Sequence, residues 1–182
     1  MLRLVLVLVF GLATPGAFGQ PANPLQPLDT SDPRATLGAF WQEARALERA
    51  YIAYRRDETY AGMAEIAEPL RRMRRLFDLT EVPVATRSEV GDATALYLFD
   101  VLVRLPPVDM DEVPGGPAFD PESAPRRWSL PDTEIDIVRI EQGPRAGDHL
   151  FSSDVVENAP TWHARIIDQP PVQPTTYENW RL

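Results

Sequence analysis

The chain has 182 residues, a net charge of −9 and no cysteine. That length allows one domain with a real core, or one domain and a small appendage. The acidic balance argues against a nucleic-acid binder, which needs a basic footprint. The missing thiols exclude disulfide staples, thiolate metal sites and cysteine catalysis. Every basic residue is Arg, and 19 prolines predict prominent loops.

Residues 1–19 read as a secretory signal peptide. Arg3 supplies the positive start, and 4–12 is an apolar run too short to span a bilayer. Ala17 and Gly19 put small residues ahead of a cleavage point before Gln20. The chain is therefore expected to be exported to a bacterial periplasm; an uncleaved membrane anchor is the alternative. Residues 20–31, with Pro21, Pro24 and Pro27, form an extended lead-in.

A helical bundle is expected over 32–105. Asp32 can cap a helix and Pro33 suits its first position. Leu37, Phe40, Trp41, Ala44, Leu47, Tyr51 and Tyr54 then recur at spacings of three and four. A second helix is predicted over 59–77, with a stripe of Tyr60, Met63, Ile66, Leu70, Met73 and Phe77 and a kink or break at Pro69. Arg71, Arg72, Arg74 and Arg75 read as a solvated face near its C-terminal end, or as lipid-headgroup contacts. A third helix is predicted over 84–104.

Residues 106–127 hold eight prolines and glycines beside Asp109, Asp111, Glu112, Asp120 and Glu122, and read as an extended, partly mobile acidic linker. A hairpin-plus-helix unit is expected over 128–168. Ile135, Ile137 and Ile140 alternate with Glu134, Asp136 and Arg139, the period of a half-buried strand. Gly143, Pro144 and Gly147 make a turn, and His149, Leu150 and Phe151 return as the second strand. A short helix is expected from Ser153 to Asn158, broken by Pro160, with a second over 160–168. Residues 169–182 form a tail whose closing aromatics and Arg suit either a membrane interface or disorder. The fold class expected is α+β, helix-dominant: a three-helix bundle, a Pro-rich linker and a small β-hairpin plus helix unit. No run of about 18 apolar residues occurs, so the chain cannot form a pore by itself.

Three stretches carry a resemblance. One comprises Trp128-x-x-Pro131-x-Thr133-Glu134-Ile135-x-Ile137-x-Arg139, Gly143-Pro144-Arg145-x-Gly147-x-x-Leu150-Phe151-Ser152, and Ala159-Pro160. It resembles the extracytoplasmic N-terminal region that precedes the membrane part in a subset of bacterial small-conductance mechanosensitive ion channels. Asp29-Thr30, followed by Pro33-Arg34-Ala35-Thr36-Leu37, is similar to the opening of that region. Asp78-Leu79-Thr80-Glu81-Val82-Pro83 is similar to one of its turns. Asp148-His149 and Thr161-Trp162-His163 depart from the pattern. The resemblance implies a periplasmic domain with a modulatory or assembly role. It implies the channel's own membrane part and neighbouring subunits as partners. It singles out Trp128, Glu134, Arg139, Gly143, Pro144, Arg145 and Gly147 as motif or interaction residues. A free-standing periplasmic binding or adaptor protein is the alternative.

No catalytic set, metal site or cofactor motif stands out. His149 and His163 lack metal-ligand spacing. Asp132, Glu134 and Asp136 share strand spacing and are expected on a solvated face. With the two histidines they are the only candidates for a hidden hydrolase. The guanidinium of Arg145, at the hairpin tip, is expected to reach Glu134 or Glu141, or else a partner's carboxylate.

Overall fold

The computed structural model describes residues 27–176. The expected leader and the closing residues 177–182 lie outside them. The fold is helix-dominant α+β, with four helices and one three-stranded antiparallel sheet. The helices are α1 (Pro33–Arg56), α2 (Tyr60–Arg74), α3 (Arg87–Leu102) and α4 (Ser153–Ile166). The strands are β1 (Arg127–Ser129), β2 (Asp136–Arg139) and β3 (His149–Phe151), in the order β1-β2-β3. No helix among the described residues is long and apolar enough to cross a membrane.

Local chemistry explains the helix starts. Asp32 accepts the Ala35 N–H at 2.7 Å with Pro33 at the first helical position, and Thr59 and Ser152 cap α2 and α4 in the same way. α1 lies along α2, α2 contacts α3, and α3 packs against α4. The aromatic stripe of α1 is a core face as far as Leu47. Beyond it the helical hairpin projects from the core, so Tyr60 and Met63 are exposed rather than buried, contrary to the stripe expected for α2.

Both internal prolines stay within continuous helix. α2 runs through Pro69, and α4 runs through Pro160 instead of breaking after Asn158. An interior proline costs about 3 kcal/mol. In α4 the fully buried Val155 and Ala159 precede Pro160, and His163 beyond it reaches Asp100 of α3 at 3.1 Å. Tertiary packing on both sides offsets the lost N–H bond.

The sheet has one strand more than expected. β1 pairs with β2 through Trp128 opposite Ile137, and β2 with β3 through Ile137 opposite Phe151. β1 is three residues long and sits at the end of a proline-rich segment, too short to show a period. β2 begins later than the alternating pattern suggests, because 131–135 form a turn. In that turn the Thr133 hydroxyl accepts the Ile135 N–H, and Leu130 N–H donates to Ile135 O at 2.8 Å.

The acidic stretch 106–127 is not a free tether. It wraps the start of α1, where the Arg34 guanidinium donates to the carbonyls of Val113 and Asp111, and Arg34 N–H donates to Pro114 O. The Asp32 carboxylate that caps α1 also accepts the Gly116 N–H at 3.0 Å. A Cβ on Gly115 would come within 2.2 Å of that carboxylate, so the close approach requires glycine. Val113 is fully buried. Helices, strands and this segment share one core. The chain after α4 is also tied down, with Val172 and Gln173 N–H on Val103 O and Thr175 and Thr176 on the buried Glu48.

Candidate functional site

β3 is the point to which the resembling segments converge. Its inner edge pairs with β2. On its other edge Phe151 N–H donates to Leu76 O at 2.9 Å and Asp78 N–H donates to Phe151 O at 2.8 Å, a parallel bridge to the end of the α2 region. Ahead of it, His149 N–H donates to Thr30 O at 2.7 Å, and the Thr36 hydroxyl donates to His149 O at 2.5 Å. The Thr30 hydroxyl reaches Asp148 at 2.8 Å across 118 residues of sequence. The Phe151 ring lies 5.4 Å from both Phe40 of α1 and Phe77. The segments 29–37, 76–83 and 143–152 thus meet at one short strand.

His149 occupies the middle of this junction. Its side chain is 1% exposed, the Phe119 ring stands edge-on at 5.5 Å, and Nδ1 has no partner among the described residues. Burial pushes its pKa below the ordinary imidazole value, against weaker opposing contributions from the Thr30 backbone and the Asp32 charge.

The hairpin tip is the exposed counterpart. Gly143 and Gly147 both take left-handed backbone, with φ 84° and 96°, which L side chains avoid. Gly147 N–H donates to Ile140 O and Ala146 N–H to Gly143 O. Arg145 is neither a partner-only group nor paired with Glu134 or Glu141. Its Nε donates to Asp148 at 2.6 Å and a terminal nitrogen to Arg75 O at 2.5 Å. The clamp locks the tip to the end of α2. The i,i+3 spacing of Arg145 and Asp148 was the available signal, and it is a local pair inside a turn. Beside the tip, a cleft of about 570 Å³ is lined by Arg74, Arg75, Arg87 and Arg145 over Leu79 and Val84.

The other motif residues disperse. Arg139 holds Glu122 at 2.7 Å and Pro121 O, tying β2 to the wrapping segment. Trp128 packs against the core from β1, and Glu134 is exposed on the β1–β2 turn. Asp136 is not on a solvated face: it is buried on Arg127 and the Ser129 hydroxyl. Of the candidate hydrolase residues, only Asp132 and Glu134 line one cavity, while His149 lies in the β3 junction and His163 on Asp100. Among the described residues, no three His, Asp or Glu side chains gather as metal ligands would.

No family model, curated protein or solved structure matches the chain.

Proposed function

We propose that the chain is the exported, extracytoplasmic N-terminal domain of a mechanosensitive ion channel family protein, with a modulatory or assembly role. The observation that supports this reading is the convergence of its resembling stretches on β3. Asp78 and Phe151, which belong to two different resembling stretches far apart in the chain, are hydrogen-bonded here at 2.8 Å. A resemblance spread along a sequence by chance has no reason to gather at one junction. In this reading the motif residues preserve a fold, and the exposed hairpin tip with its arginine-lined cleft faces neighbouring subunits or the membrane-embedded part.

Fractionation of source cells, with immunodetection of residues 128–167, tests the proposal. A band in the integral-membrane fraction, heavier than 20.4 kDa, is the expected result. A band at or below that mass, released with the soluble periplasm, contradicts it. That second result would favour a free-standing binding or adaptor protein, a reading supported by the open groove beside α4.

A further inference from the structure

A groove runs between the end of α3, the last turns of α4 and the β1–β2 turn. It consists of two cavities of about 410 and 850 Å³ that share Leu105 and residues 130–133. Val108, Trp128 and Leu130 wall the smaller cavity, and Ile135, Trp162 and Ile166 the larger. Trp128, Trp162 and Ile166 rest on the core with part of their surface open.

Three features distinguish this groove from a chance depression. First, neither the Trp128 nor the Trp162 indole N–H has a hydrogen-bond partner among the described residues. Tryptophan in a largely apolar setting normally finds an acceptor, so both donors are free for a ligand carbonyl. Second, Asp109, Glu112, Asp132 and Glu134 rim the groove, and none has an ion-pair partner among the described residues. Elsewhere around the sheet Glu122, Asp136, Glu141, Asp148 and Asp154 are all paired with arginines. Arg165 is the one cation in the lining. Third, Asp132 sits at the lip with φ 58°, the one described non-glycine residue in left-handed backbone. Such strain gathers where a surface must be held in a particular shape. The Leu130–Ile135 and Thr133 hydrogen bonds hold it.

We propose that this groove binds an extended, proline-bearing peptide segment that carries an arginine. The chemistry of the walls matches that occupant. A polyproline II segment keeps its backbone carbonyls unpaired and loses little conformational entropy on docking. Its carbonyls meet the two indole N–H groups, its rings stack on the indole faces, and the guanidinium meets the unpaired carboxylates. An acidic segment is repelled by the same rim. The proposal is independent of whether the chain belongs to a channel.

The test is a titration of the full chain, ¹⁵N-labelled, with the peptide Ac-Arg-Pro-Leu-Pro-Pro-Leu-NH₂, following the indole N–H resonances. Shifts are expected at Trp128 and Trp162, with Trp41 unmoved. The analogue with Glu in place of Arg should bind far more weakly. Asp132→Asn combined with Glu134→Gln should weaken the Arg peptide about fivefold while the amide spectrum stays folded. If that pair disturbs the turn, Asp109→Asn with Glu112→Gln on the other lip should give a similar loss. Equal binding of the Arg and Glu peptides, or saturating shifts at Trp41 alone, or no shift at millimolar peptide, overturns the proposal.

Discussion

β3 and the turn that leads into it are adjacent in the chain and opposite in character. Leu150 and Phe151 are at most 2% exposed, whereas Gly143, Pro144 and Gly147 stand in solvent. Both belong to the same motif, for different reasons. The strand residues fill space between α1, α2 and the sheet. The glycines supply backbone angles, and Arg145 fastens the turn to Asp148, just ahead of β3, and to the Arg75 carbonyl at the end of α2. A shared pattern therefore mixes core packing with turn geometry, and the two should respond to mutation on different scales.

The largest effect should come from the strand. Phe151→Ala removes the ring that meets Phe40 and Phe77, and should cost about 4 kcal/mol in urea unfolding. Next is the buried ion pair between the bundle helices, Glu43 with Arg72 at 2.7 Å. Glu43→Ala removes the carboxylate from a buried guanidinium and should cost about 3 kcal/mol, while Glu43→Leu with Arg72→Met together should cost much less. That double variant separates packing from charge within the same helical layer.

Acid should act on the strand. The folded pKa of His149 lies below 6.5, so the neutral ring is the form the fold favours. Its contribution is complete above pH 6.5 and is lost as pH falls from there through the folded value. Glu48 acts lower on the scale. Burial alone would raise its pKa, but hydrogen bonds from Thr175, Arg45 and Thr176 outweigh it and hold the carboxyl below 4.5. Its contribution is complete above pH 4.5 and is lost as pH falls through the depressed value. A melting temperature that drops between pH 7 and pH 5 is expected, and His149→Phe should flatten that part of the profile.

The tip should give the smallest changes. Arg145→Ala should cost about 1 kcal/mol, since its partner Asp148 is part-exposed and screened. Arg145→Lys should not restore it, because one ammonium cannot span a carboxylate and a carbonyl as the guanidinium fork does. Gly147→Ala should also cost about 1 kcal/mol from backbone angle alone, since no atom lies within 4 Å of the new methyl group.

Much of this fold was legible. The α1 stripe from Leu37 to Leu47, the Asp32 cap and the Gly143–Gly147 turn announce themselves by period and turn chemistry. What was hidden depends on distant partners. Pro160 looks like a helix stop until Asp100 and the α3 face are present to hold the next turn. The segment 106–127 reads as a tether because its anchors are backbone carbonyls taken by Arg34, and carbonyls leave no sequence trace. Asp136 alternates like a surface residue, and only the neighbouring β1 brings Arg127 and Ser129 onto it. The groove was illegible for the same reason: Trp128 and Trp162 come from different elements.

Native-state hydrogen exchange at the His149 and Phe151 amides tests the central claim most directly. These two N–H groups carry the bonds to Thr30 in the opening resembling stretch and to Leu76, just ahead of the 78–83 stretch. If β3 is the shared junction, both amides exchange only through global unfolding, with the same free energy as the buried amides of α3. If they exchange through a smaller opening while the helices remain protected, the hairpin is an appendage and the convergence on β3 does not organise the fold.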